Sequence, residues 1–184
     1  MSTSMSTSVQ LRRLERRDLS TLVEWMRDPA LIRLILGDQA PSIRQFREQI
    51  LAMLTGGFGP AFSQTGHYMI DAEDGAPVGI AAFNRVSWRN RSAQYDVYVP
   101  EAFSDPAHVR DAHTATMAYG FDELNLHRIA TRVSASDTTA QSALLELGAQ
   151  REAVLKDYLL LNETPEDLYL FGMMRRDFPG DRVA

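Results

Sequence analysis

The stretch Val97–Val133, VYVPEAFSDPAHVRDAHTATMAYGFDELNLHRIATRV, sets a helix with a sharply marked start between two strands, and the rest of the chain is read outward from it. Ser104-Asp105-Pro106 is a self-sufficient helix start. Asp105 supplies the cap, and Pro106 stands at the first helical position, where a missing amide hydrogen costs nothing. His113, Met117, Phe121 and Leu124 then recur along one stripe, as the buried face of an amphipathic helix requires. Strands over Ser92–Val99 and His127–Val133 flank that helix.

Toward the N-terminus the spacing predicts a strand over Val9–Leu14 and a helix with Leu19, Leu22, Val23 and Met26 on its stripe, stopped by Asp28-Pro29. An apolar piece over Leu31–Leu36 follows. Ser42 and Gln45 form a capping box for a helix with Ile43, Phe46, Ile50 and Leu54 on one face, ended by the Thr55–Pro60 loop. Strands over His67–Ala72 and Val78–Trp88 are joined by the turn at Glu73–Pro77. After the quoted stretch come a helix around Thr138–Leu147 and two strands near Val154–Leu161 and Leu168–Met174. The expected fold class is α+β in a single domain over residues 9–176, with a flexible N-terminus over 1–8 and a loose tail over 177–184.

Specific residues in the quoted stretch carry a family resemblance. Phe121, Glu123, Leu124 and Leu126 at the helix end, His127 and Arg128 at the next strand start, and Leu147-Gly148 later resemble the GNAT acetyltransferases, in the branch similar to ribosomal-protein N-acetyltransferases. The resemblance runs from Leu11 to Met174. It implies a mixed, mostly antiparallel sheet flanked by helices and splayed between its central strands to admit a pantetheine arm. It implies an N-acyltransferase that moves an acyl group from a pantetheine-linked thioester to a primary amine. Acetyl-CoA is the family's donor, and Val97 and Val99 fall on the strand that meets it.

The phosphate loop departs from the family pattern Arg/Gln-x-x-Gly-x-Gly/Ala. Ser104 stands at the first position, Ala107 at the first glycine and Val109 at the last. Glycines there let backbone amides close on a pyrophosphate. Pro106 has no amide hydrogen to give, and a capping Asp105 takes the remaining amides and repels an anion. His108 and Arg110 are compensating cations on one reading and solvated first-turn residues on the other. The loop therefore suggests a second donor, an acyl carrier protein, whose pantetheine lacks the nucleotide.

The resemblance also locates the candidate chemistry. In the family branch the central strand often reads Ala-Glu-x-Gly, and here it is Ala93-Gln94-Tyr95-Asp96. Gln94 occupies the acid's position but cannot accept a proton. Asp96, two residues on and on the same strand face, is the alternative base, with Tyr98 on that face as a proton donor. Asp137 stands where an Asn often meets the pantetheine arm, and with Thr138 it also caps the next helix. Leu144 stands where some relatives place a tyrosine for the leaving thiolate.

Composition excludes other classes. With no cysteine, disulfides, thiolate metal sites and a cysteine nucleophile are ruled out. A net charge of -5 argues against a nucleic-acid footprint. The four histidines, His67, His108, His113 and His127, lack ligand spacing, so no metal is expected. No Gly-x-Ser-x-Gly elbow occurs. Arg85, Arg89 and Arg91 around Trp88 form either an anion grip or a solvated turn. The polar start and the lack of a long apolar run lead to an expectation of a cytoplasmic protein without membrane contact. The acceptor is expected to be a small-molecule amine or a protein N-terminus, met between the first helices and the hairpin at Asn162–Asp167. Homodimerisation is a further expectation, and a non-catalytic GNAT-fold binding protein is the alternative.

Overall fold

The computed structural model describes residues 9–28, 30–31, 44–45, 47–48, 50, 66–161 and 163–182. In chain order these form β1 (Val9–Arg13), α1 (Leu19–Trp25), β2 (Gly66–Ala72), β3 (Pro77–Ser87), β4 (Ser92–Tyr98), α2 (Pro106–Asp122), β5 (Arg128–Ser134), α3 (Thr138–Glu146), β6 (Gln150–Leu161) and β7 (Thr164–Met174). The seven strands make one sheet in the order β1-β2-β3-β4-β5-β7-β6. Only β4 and β5 run parallel. This is the mixed, mostly antiparallel sheet with flanking helices that the resemblance implied.

Strand alternation sorts the side chains onto two faces. Tyr95, Ile129, Val133, Phe171 and Met173 meet Met117 and Phe121 of α2 and Leu144 of α3 on one face. On the other face Met69, Ile80 and Tyr98 pack with Leu22 of α1, Leu31 and Ile50. Burying a Phe or Leu side chain of this kind contributes roughly 1.5–3 kcal/mol. The expected Leu31–Leu36 piece, the Ser42 cap of the second helix and the Thr55–Pro60 loop lie largely outside the described residues, as does Asn162.

Helix ends follow the local chemistry. The Asp105 carboxylate accepts from the amides of Ala107 (3.0 Å) and His108 (3.2 Å), and Pro106 opens α2 as its type demands. Asp137 caps α3 by accepting from Ala140 N at 2.9 Å. At the far end of α3, Ala149 N bonds Leu144 O and Gly148 N bonds Leu145 O. Gly148 has φ +88°, so this Schellman turn uses the left-handed freedom only glycine has cheaply.

The last two strands begin earlier than their apolar runs suggest, at Gln150 and Thr164, because cross-strand pairing extends into polar residues. Phe178 lies inside the segment read as a loose tail. It is 2% exposed and packs against Phe121 at 5.2 Å between ring centroids, which ties the chain down at least that far.

Candidate active site

The β4–β5 ladder is shorter than either strand. Pairing runs from Ser92↔Arg128 to Tyr95↔Thr131 and stops there, while β4 continues to Tyr98 and β5 to Ser134. Beyond that rung, among the described residues, each strand is held only on its outer side, β4 by β3 and β5 by β7. The inner edge of β4 thus presents backbone donors and acceptors without a strand partner.

A cleft of about 420 Å³ opens at this split. Its lining draws on both faces of the sheet. Asp96, Tyr98, Arg132 and Ala30 belong to the α1 side, whereas Val97, Val99, Thr131, Val133, Val109 and His113 belong to the α2 side. Ser104, Ser134, Asp137, Thr139 and Ala140 complete it. The cleft therefore passes through the sheet. Two molecules entering from opposite faces can meet at the rung.

Asp96 lies one residue beyond that rung. It accepts from Asn84 Nδ2 at 2.6 Å, and burial holds its pKa above the usual carboxylate range against the opposing pull of Arg132, Asn84 and Arg85. Tyr98 is buried against Trp25, and its phenol is pushed upward by burial and then by the nearby charge of Asp28. Gln94 shares their face but pairs with Ala130 below the split, away from the cleft lining. Among the expected donor-binding residues, Val97, Val99, Ser104, Val109 and Asp137 line the cleft, and Ala107, His108 and Arg110 do not. The Ala107 and His108 amides are occupied by Asp105, and His108 Nδ1 also meets the Asp105 carboxylate. That contact is the largest reason the Asp105 pKa is lowered.

Several cleft residues escaped the sequence reading. His113, read only as part of a packing stripe, is 5% exposed and bonds the Tyr95 hydroxyl through Nδ1 at 3.0 Å. Burial lowers its pKa to about 4, so the ring is neutral at pH 7. Arg132 and Ser134 on β5 were also missed. Strand parity from Asp96 across to β5 is the signal that finds Arg132. Of the basic cluster, Arg91 is structural, bonding Asn125 through Nε (2.7 Å) and Nη2 (2.5 Å).

The family model for the acetyltransferase (GNAT) domain matches residues 8–150. The chain belongs to the GNAT acetyltransferase family. This GNAT protein is 25% identical to the uncharacterised N-acetyltransferase p20 of Bacillus licheniformis, over 98% of the chain and 100% of the relative. It is 22% identical to the putative ribosomal N-acetyltransferase YdaF of Bacillus subtilis, over 59% of the chain and 60% of the relative. The spermidine N-acetyltransferase of Vibrio cholerae, solved with CoA and spermine, superposes with a TM-score of 0.77 at 17% identity, covering 94% of this chain and 98% of that one. At that identity the likeness concerns the fold. Among the described residues no helix is long and apolar enough to cross a membrane, and no group of three metal-ligating side chains is gathered.

Proposed function

We propose that this GNAT enzyme acetylates a primary amine at the split between β4 and β5, with Asp96 as the base. The observation that carries this reading is the through-sheet cleft with a half-buried carboxylate of raised pKa one residue past the last rung. The unladdered edge of β4 suits the amides of a pantetheine arm, much as an added strand would. A thioester supplies the activated acyl carbon. An ammonium must lose a proton before its nitrogen can attack, and Asp96 receives it, its raised pKa bringing it nearer to the operating pH. Tyr98 holds the wall beside it. The polyamine named for the Vibrio cholerae enzyme belongs to the primary-amine class to be tested.

A second donor reading rests on one specific contact. In its capped state the start of α2 does not fit a pyrophosphate, because Asp105 already accepts the Ala107 and His108 amides and Pro106 has none. A pantetheine attached to an acyl carrier protein needs no such cradle. Calorimetric titration separates the two, using acetyl-CoA, acetyl-pantetheine and a variant with Asp105, Pro106 and Ala107 changed to glycine. Micromolar binding of acetyl-CoA to the native protein, about -8 kcal/mol, supports CoA as donor. Binding of CoA only to the glycine variant supports the carrier. Failure of all donors to bind either protein refutes the pantetheine cleft itself.

A further inference from the structure

We infer that the acceptor is a small amine carrying its own anionic group a few bonds from the nitrogen, a carboxylate or phosphonate, and that Arg132 selects it. This rests on the acyltransferase reading above and adds the substrate's class.

The rung Tyr95↔Thr131 is the last shared by β4 and β5. One step further, Asp96 and Arg132 hold corresponding positions on the two strands. Corresponding residues of a parallel pair point to the same face, here the face of α1 and not that of α2 and α3. Laddered strands lie roughly 4.8 Å apart, and these have just begun to diverge. The carboxylate and the guanidinium therefore stand on opposite lips of the cleft floor, and both line it.

They are not bonded to each other. Asp96 is taken by Asn84, and among the described residues Arg132 makes no hydrogen bond or ion pair and is exposed. Arg132 and Arg85 nevertheless both draw the Asp96 pKa downward, so two cations stand within Coulomb reach of the base. Asp28 stands on the same face, close enough for its charge to push the Tyr98 phenol pKa upward.

Charge then decides between acceptors. A polycation approaching Asp96 meets two guanidiniums. Once Asp96 takes the ammonium proton it is neutral, and Arg132 is left without a counter-charge on that lip. A carboxylate or phosphonate on the acceptor fills that place, and the planar guanidinium binds either through two parallel hydrogen bonds. The narrow separation of the lips limits the amine and the anion to a few intervening bonds. A free amino acid and the acidic first residue of a peptide share this chemistry.

The test compares each acid with its amide under the donor that supports turnover, scoring kcat/KM per unprotonated amine. The pairs are β-alanine with β-alaninamide, and the amidated dipeptides Asp-Ala with Asn-Ala, with spermidine as the polycation. Wild type should prefer the acid by about tenfold or more, chiefly through KM. The acid-to-amide ratio within each protein should fall to about one in Arg132→Gln, stay above one in Arg132→Lys, and invert in Arg132→Glu, which should also gain on spermidine. A preference confined to β-alanine assigns a free amino acid, and one confined to Asp-Ala assigns a peptide N-terminus. Equal use of acid and amide by wild type, or an unchanged ratio in Arg132→Gln, overturns the inference while leaving the acyltransferase intact. Loss of turnover with every amine overturns both. Arg132 is exposed, so unchanged melting temperatures are expected and separate these outcomes from misfolding.

Discussion

Replacing His113 with glutamine removes a titrating ring from the cleft wall while leaving an amide oxygen to accept the Tyr95 hydroxyl hydrogen. In the native protein burial holds the His113 pKa at about 4, against about 6.5 when exposed. On unfolding, the ring takes up a proton near pH 6.5 that the folded state refuses until near pH 4. The folded state binds fewer protons across that window, so stability is full above pH 6.5 and is lost as pH falls toward 4. About 2.5 units at 1.36 kcal/mol per unit gives roughly 3 kcal/mol, with a slope near 1.4 kcal/mol per pH unit around pH 5. Asp96 opposes this trend, because a raised carboxylate pKa favours the folded state as pH falls. Its contribution is common to both proteins and drops out of their difference. Urea unfolding in steps from pH 7.5 to 4.5, about half a unit apart, should therefore show His113→Gln losing roughly 2.5 kcal/mol less than wild type, since the last step stops short of the folded pKa. Parallel curves for the two proteins would refute the argument that the buried ring stays neutral.

His67, whose pKa burial also lowers to about 4 and whose Nε2 has no partner among the described residues, should behave alike, so His67→Gln flattens the acid limb by a similar amount in the same assay. Arg12 joins two buried carboxylates, bonding Asp18 through both Nη atoms at 2.7 Å and Asp71 through Nε at 2.5 Å. Arg12→Met strands both charges, and chemical denaturation should register a loss of about 3–5 kcal/mol at neutral pH. Phe178→Ala empties a site in contact with Phe121 and should cost about 3–5 kcal/mol by the same measurement. A loss under 1 kcal/mol would mean the tail is not anchored there.

The helix starts were legible because they are local chemistry. Asp105-Pro106 and Asp137 act through amides two or three residues away, and spacing alone identifies them. The split between β4 and β5 was legible only through the family resemblance. Nothing in the alternation of Tyr95-Asp96-Val97-Tyr98 or Thr131-Arg132-Val133-Ser134 distinguishes paired from unpaired residues, since pairing is decided by the strands opposite. His113 kept its place on the packing stripe, but its bond to Tyr95 crosses from helix to sheet and leaves no mark in helical periodicity. Arg132 was hidden for the same reason, because its meaning comes from Asp96 on another strand. The anchoring of Phe178 depends on Phe121, far away in sequence, and a polar tail around it gave no hint.

Whether Asp96 takes the ammonium proton is read from the dependence of kcat/KM on pH, compared between wild type and Asp96→Asn with one acceptor and one donor. Wild type should rise with pH through an ionisation above the ordinary carboxylate range, following the raised Asp96 pKa. In Asp96→Asn that limb should vanish and the rate should fall by about 10²–10⁴, the share a positioned base contributes. An unchanged limb and a rate within a few fold of wild type would contradict the assignment of Asp96 as the base.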